Sequence, residues 1–219
     1  MDHEDDDSAY AELAESLIRG FGSELVKSGQ VDLFELSHDE FVEIVRSELR
    51  KSLAAGESIS ITLDYQRGLL AEARRFRDDG PARYAVVFYA TWIEHWFNSM
   101  FAWKAESLAL PRDDIDRLMR QSIVDKAGLL WRLCFLEAFP DDLKKSVLRI
   151  AEQRNKFVHY KWRGVDMDEL ARETHAGNLD LLSLAESVVI ELDEMENVVV
   201  YGGLRAQAQN GWRRPTSGA

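Results

Sequence analysis

An all-α helical bundle is what this sequence predicts, and three observations predict it. Apolar residues recur at spacings of three and four in one segment after another. The periodic segments are rich in Leu, Ala, Glu and Arg, and only four prolines interrupt the 219 residues. A hydrophobic content of 46% beside 30% charge suits a globular chain, long enough for one large domain or for a core domain with an extension. The pattern divides into an N-terminal helical extension over 1–60, a helical bundle over 63–200 and a mobile C-terminal tail over 203–219.

Residues 8–27 predict a first helix, with Leu13, Leu17, Phe21 and Leu25 at helical spacing and Gly29 at its end. Val31 to Leu36 is short, a strand or an extended connector. Ser37 followed by Glu40 is a capping box, opening a helix to about Ala55 with Phe41, Ile44, Val45, Leu49 and Leu53 as its apolar positions. Ile59, Ile61 and Leu63 alternate as a strand would, but a helix from Leu63 to Asp78 is better supported. Asp79-Gly80-Pro81 is a stop, and Pro81 suits the first turn of the next helix.

The segment 81–107 carries two adjacent apolar ridges. One holds Tyr84, Phe88, Trp92, Trp96, Met100 and Trp103; the other holds Val86, Ala90, Ile93, Phe97 and Phe101. So broad a stripe predicts a helix central to a bundle or shared with a second subunit. A narrow polar line of Thr91, Glu94, His95 and Asn98 runs opposite, either a solvated face or one from which Glu94 meets Arg154. Residues 113–137 predict a further helix or a broken pair, with Ile115, Leu118, Met119, Ile123, Leu129, Leu130, Leu133 and Leu136 as apolar positions. After Phe139-Pro140 another helix begins near Asp141. The last, over 179–200, sets Leu181, Ala185, Val188, Leu192, Met195 and Val199 in a four-three rhythm, with Glu186, Glu191, Glu194 and Glu196 on its other side. Gly202-Gly203 ends it.

Composition and charge exclude several classes. One cysteine, Cys134, rules out an intrachain disulfide and fits a reducing cytoplasm; its apolar neighbours predict a buried thiol. An acidic start is the opposite of a secretory leader, and no apolar run approaches a membrane span. A net charge of −12 speaks against a general nucleic-acid coat protein, yet Arg154, Lys156, Lys161 and Arg163 form a basic island without an acid among them. No metal-ligand cluster, Gly-rich phosphate loop or serine-nucleophile turn is present, and no cofactor is expected.

The chemistry gathers at Arg154-Asn155-Lys156-Phe157-Val158-His159-Tyr160. Leu143, Val147, Ile150 and Phe157 make an apolar stripe with one vacancy, and Arg154 fills it. Leu148, Ala151 and Val158 make a second stripe, interrupted by Asn155. A guanidinium on a core-facing seam needs a carboxylate, a phosphate or a partner chain. His159 is the nearby group that can move a proton near neutrality.

Arg, Asn, three residues and His at the end of a bundle helix resembles the signature of the HEPN superfamily. It is similar also to the Arg-Asn-Lys-x-His-His-Tyr motif of the kinase-extension nucleases. Arg154, Asn155, Lys156, His159 and Tyr160 match that motif, and Val158 replaces its first histidine. Where a subfamily of HEPN toxins carries Tyr two residues after the His, this chain has Lys161. The resemblance covers 63–200 and implies a four-helix HEPN-like core near 81–107, 113–137, 141–162 and 179–200. It also implies a metal-independent ribonuclease, a toxin or antiviral effector, that dimerises to place two motifs in one cleft and answers to an antitoxin or regulatory protein. His159 would be the acid or base, Arg154 would stabilise the phosphate and Asn155 would orient either; Glu94, Lys156, Tyr160 and Lys161 would support them. The competing expectation is a non-catalytic HEPN-like scaffold in which Arg154 makes a structural ion pair. On a straight helix Arg154 and His159 leave the axis about 140° apart, so one cleft needs either local unwinding near His159 or a second chain.

Overall fold

The computed structural model describes residues 20–31, 36–56, 66–159, 176–203 and Arg205. Every element among them is helical, and no strand occurs among them, as an all-α chain requires. The chain divides into two compact units, Leu63–Glu194 and a second made of Met1–Thr62 with Met195–Ala219.

In the unit that contains the N-terminus, residues 20–27 are helical (α1) and Gly29 turns the chain with φ of 71°. The capping box forms as the sequence predicts and opens α2, His38–Ala54: the Glu40 N–H donates to the Ser37 hydroxyl while the Ser37 N–H donates to Glu40 Oε2 at 2.9 Å. Leu25, Val31, Phe41 and Val45 form the buried cluster, flanked by Phe21, Val26, Leu36 and Ile44. Leu53, expected on the apolar side of α2, is exposed. Tyr201 is buried here, its hydroxyl 3.1 Å from Ser23 Oγ. The expected helical residues 8–19, the connector residues 32–35 and the alternating Ile59, Ile61 and Leu63 lie outside the described residues.

The larger unit holds α3 (Gln66–Asp79), α4 (Ala82–Ser107), α5 (Arg112–Met119), α6 (Ile123–Asp125), α7 (Trp131–Phe135), α8 (Asp141–His159) and, through Glu194, most of α9 (Ala176–Tyr201). Pro81 caps α4 from just outside it. α4 is central, packed against α3, α5, α7 and α8. Most of both ridges is covered within the chain, with Tyr84 left exposed at the start of the first. Trp96 and Phe97 are fully buried, Trp96 stacked 5.8 Å from Trp131 and Phe97 tilted 5.3 Å from Phe139. Each such aromatic contributes roughly 1.5–3 kcal/mol on burial, so the breadth of the stripe reflects an aromatic core around one helix.

The segment 113–137 is the broken alternative, with α5 and α6 followed by a π-helical turn over Lys126–Leu130 and then α7. The register of its second half differs from the expected one. Leu129, Leu133 and Leu136 are exposed, while Lys126, Ala127 and Trp131 are buried. A π turn inserts one residue per turn, and Gly128 breaks the helical backbone within it, so every side chain after it is rotated about the axis. The indole wins the core position because it buries more apolar area than a leucine. On α8, Leu143, Val147 and Ile150 are buried as expected; the second stripe is not core, since Leu148 and Ala151 are half-buried and Val158 is exposed. Among the described residues no helix is long and apolar enough to cross a membrane.

Candidate functional site

Arg154 lies on the last turns of α8, one helical step beyond the buried Ile150. Its side chain is 37% exposed, and its Nη2 stands 3.4 Å from Glu94 Oε2 on α4, whose side chain is 45% exposed. Nη1 donates to the Asn155 amide oxygen at 3.1 Å. The vacancy in the α8 stripe therefore lies at the edge of the core, where the Arg154 side chain is only partly covered. A long, half-exposed pair of this kind is worth ~0–1 kcal/mol. It positions Arg154 without locking it.

The same face of α4 carries Asn98, one turn from Glu94, and Asn98 is not solvated as the polar line suggested. Its amide oxygen accepts from Lys126 Nζ at 2.6 Å, and the Met119 carbonyl accepts from the same ammonium at 2.7 Å. Lys126 is fully buried at the start of the π turn. Burial lowers the proton affinity of its ammonium, and the charge of Glu94 acts against that shift. Sequence reasoning passed over Lys126 because a lysine between apolar positions reads as a surface residue. The π turn that buries it has no clear sequence signal beyond Gly128. Of the other polar residues on α4, His95 is exposed and Thr91 donates to the Val87 carbonyl of its own helix.

Beside the motif, Phe157 meets Tyr84 edge-on at 5.9 Å, and the exposed Arg83 places its guanidinium 5.3 Å from the Tyr84 ring and 5.9 Å from Phe157. Arg83 thus joins the basic island from another helix, a placement only the packing of α4 on α8 creates. Lys156 is exposed and pairs with Glu152 at 3.0 Å. The backbone of α8 stays helical through His159, with no unwinding between Arg154 and His159. The His159 side chain, Tyr160 and Lys161 lie outside the described residues, as does Gly164.

A second charged cluster sits between α3, α4 and α9. Glu186, expected on the acidic side of the last helix, accepts from Arg74, from Arg77 at 3.0 Å and from the buried Tyr89 hydroxyl at 2.5 Å. Burial raises its proton affinity, but the hydrogen bonds from Arg74 and Tyr89 outweigh that and hold the carboxyl below its usual range. An open groove of about 400 Å³ runs over it, lined by Arg77, Leu179, Leu182, Glu186 and Ile190 among others. Its cations are already matched by Glu186 and Asp78, which makes it a helix clamp rather than an anion site.

Cys134 is half-buried, and burial pushes its thiol up, away from a nucleophilic thiolate. Among the described residues no group of three or more His, Cys, Asp or Glu side chains is placed to hold a metal ion. No protein-family model matches this chain, and no curated protein or solved structure matches it either.

Proposed function

We propose that this chain is a metal-independent endoribonuclease of HEPN type, a toxin or antiviral defence effector of the reducing cytoplasm. The observation that carries the reading is the state of Arg154, a guanidinium over a third exposed, on a basic island, held by an ion pair of 3.4 Å. A guanidinium so placed is open to a phosphate, which it binds through two parallel hydrogen bonds. In the reaction the ribose 2′-hydroxyl attacks the adjacent phosphorus and the bond to the 5′-oxygen breaks, leaving a 2′,3′-cyclic phosphate and a 5′-hydroxyl. His159 accepts the 2′ proton or returns one to the departing oxygen, a role worth roughly 10²–10⁴-fold. Arg154 stabilises the charge that gathers on the phosphorane oxygens. Asn155 orients the reacting groups; Lys156, Lys161 and Tyr160 hold the RNA.

Because α8 is helical through His159, Arg154 and His159 of one chain diverge by about 140°. The reading therefore includes a homodimer in which two motifs share one cleft, built on a four-helix HEPN-like core of α4, the α5–α7 segment, α8 and α9. An antitoxin or other regulatory protein is the expected partner besides RNA.

One observation favours the second reading, a non-catalytic scaffold. Both terminal nitrogens of Arg154 have partners within the chain, Glu94 and Asn155. RNA cleavage in EDTA by the wild type, beside folded Arg154→Ala and His159→Ala variants, separates the two. Cleavage lost in both variants supports the ribonuclease, whereas cleavage that survives in both removes this site as its source. No cleavage of any RNA by the wild type favours the scaffold.

A further inference from the structure

The ribonuclease reading leaves Lys126 without a part. It is fully buried, so it cannot touch a substrate. Two of its three ammonium protons go to Asn98 Oδ1 and the Met119 carbonyl. Asn98 and Glu94 are one turn apart on α4 and share a face, which sets the ammonium on the flank of the carboxylate that holds Arg154. Glu94 thus pairs with one half-exposed cation and lies one turn along α4 from the residue that binds a second, buried one.

We propose that Glu94 is a displaceable stand-in for phosphate on Arg154, and that Lys126 is the positioning residue that receives the carboxylate when an anion takes Arg154. The inference rests on reading Arg154 as a phosphate contact. An anion arriving at Arg154 breaks the 3.4 Å pair and leaves a carboxylate beside a second negative charge. Without another cation the two repel, and the exchange stalls. Lys126 supplies that cation from a place where solvent does not screen it. The bonds to Asn98 and Met119 hold the ammonium in place and use two of its protons, so the third can turn to the carboxylate. The half-exposed Glu94 side chain has the freedom to move that the buried lysine lacks.

Calorimetric binding of inorganic pyrophosphate and of a 2′-O-methyl oligoribonucleotide, which the chain cannot cut, tests this in wild type, Glu94→Gln, Lys126→Met and the double variant. Glu94→Gln is expected to tighten both ligands about fivefold, the size of one exposed ion pair removed as competitor. Lys126→Met is expected to weaken both by a similar factor in the wild-type background and to change nothing in the Glu94→Gln background. Unchanged or weaker binding by Glu94→Gln overturns the proposal. Equal weakening by Lys126→Met in both backgrounds, as a merely structural lysine would give, overturns the role of Lys126. Glu94→Gln alters a half-exposed side chain and is readable even where Lys126→Met lowers stability; binding below the thermal transition keeps the second arm readable. Tighter pyrophosphate binding by Glu94→Gln without RNA cleavage by any variant supports this inference and removes the ribonuclease. RNA cleavage with anion affinity indifferent to Glu94→Gln removes this inference alone.

Discussion

Arg154 stands where an apolar residue would continue the stripe of Leu143, Val147 and Ile150, and the fold leaves its head group partly in solvent. Its worth to stability is accordingly small, and under the proposed ribonuclease reading its worth lies in holding phosphate. Arg154→Lys is expected to keep the thermal stability within about 1 kcal/mol, since the Glu94 pair is half-exposed. It is expected to lower RNA cleavage about 10²–10³-fold, because an ammonium cannot make the paired hydrogen bonds to phosphate. Single-turnover cleavage beside a melting curve reads both. At the other extreme, Leu136 ends α7 in the left-handed region with φ of 61° while 86% exposed, so it has strain and almost no burial to set against it. Leu136→Gly is expected to raise stability by about 1 kcal/mol, visible as a higher Tm.

At the scale of elements, the Glu186 clamp joins α3, α4 and α9 through Arg74, Arg77 and Tyr89. A carboxylate whose proton affinity falls on folding adds stability above its unfolded pKa, about 4.3, and loses it as pH drops through the lower folded value. Glu186→Gln should therefore destabilise the chain at neutral pH and flatten its loss of stability below about pH 4, as followed by thermal unfolding at a series of pH values. Tyr89→Phe removes one donor from the carboxylate and is expected to cost about 0.5–1.5 kcal/mol. The capping box of α2 was legible from Ser37 and Glu40 alone, since its two hydrogen bonds span three residues. The Glu186 clamp was not, because its partners lie about a hundred residues away along the chain, and four acids along the last helix look alike until α3 and α4 are packed beside one of them.

Over the whole molecule, an acidic chain of net charge −12 carries its basic island at one helix end, with Arg83 added from α4. RNA binding through three to five such cations predicts a slope of log K against log salt of about −2 to −4, shallow for a nucleic-acid protein. Arg83→Ala should reduce that slope by roughly 0.7, the contribution of one phosphate on a single strand. Fluorescence anisotropy with a 2′-O-methyl RNA at several salt concentrations measures both. A composite site has a sharper consequence. Arg154→Ala and His159→Ala, each inactive alone, should recover about a quarter of wild-type cleavage when mixed and allowed to exchange subunits, since half of the dimers then hold one intact site of two. No recovery after exchange removes the shared cleft.

Fold class, most helix boundaries and the motif that stands out chemically were all present in the sequence, because periodicity, caps and breakers act over a few residues. The aromatic breadth of α4 was also legible, but whether it faced a second chain or its own core was decided by Trp131 and Phe139, distant in sequence. Only the tertiary structure decided that the π turn rotates Leu129 and Leu133 outward and carries Lys126 inward, and that Asn98 meets an ammonium rather than water. The meeting of Glu94 with Arg154 was legible as an expectation, and the tertiary structure decided that the pair is long and partly exposed. The physical reason is one of range: local spacing dictates which face a helix offers, whereas the partner of a buried or half-buried charge is chosen by whatever other elements bring within about 4 Å.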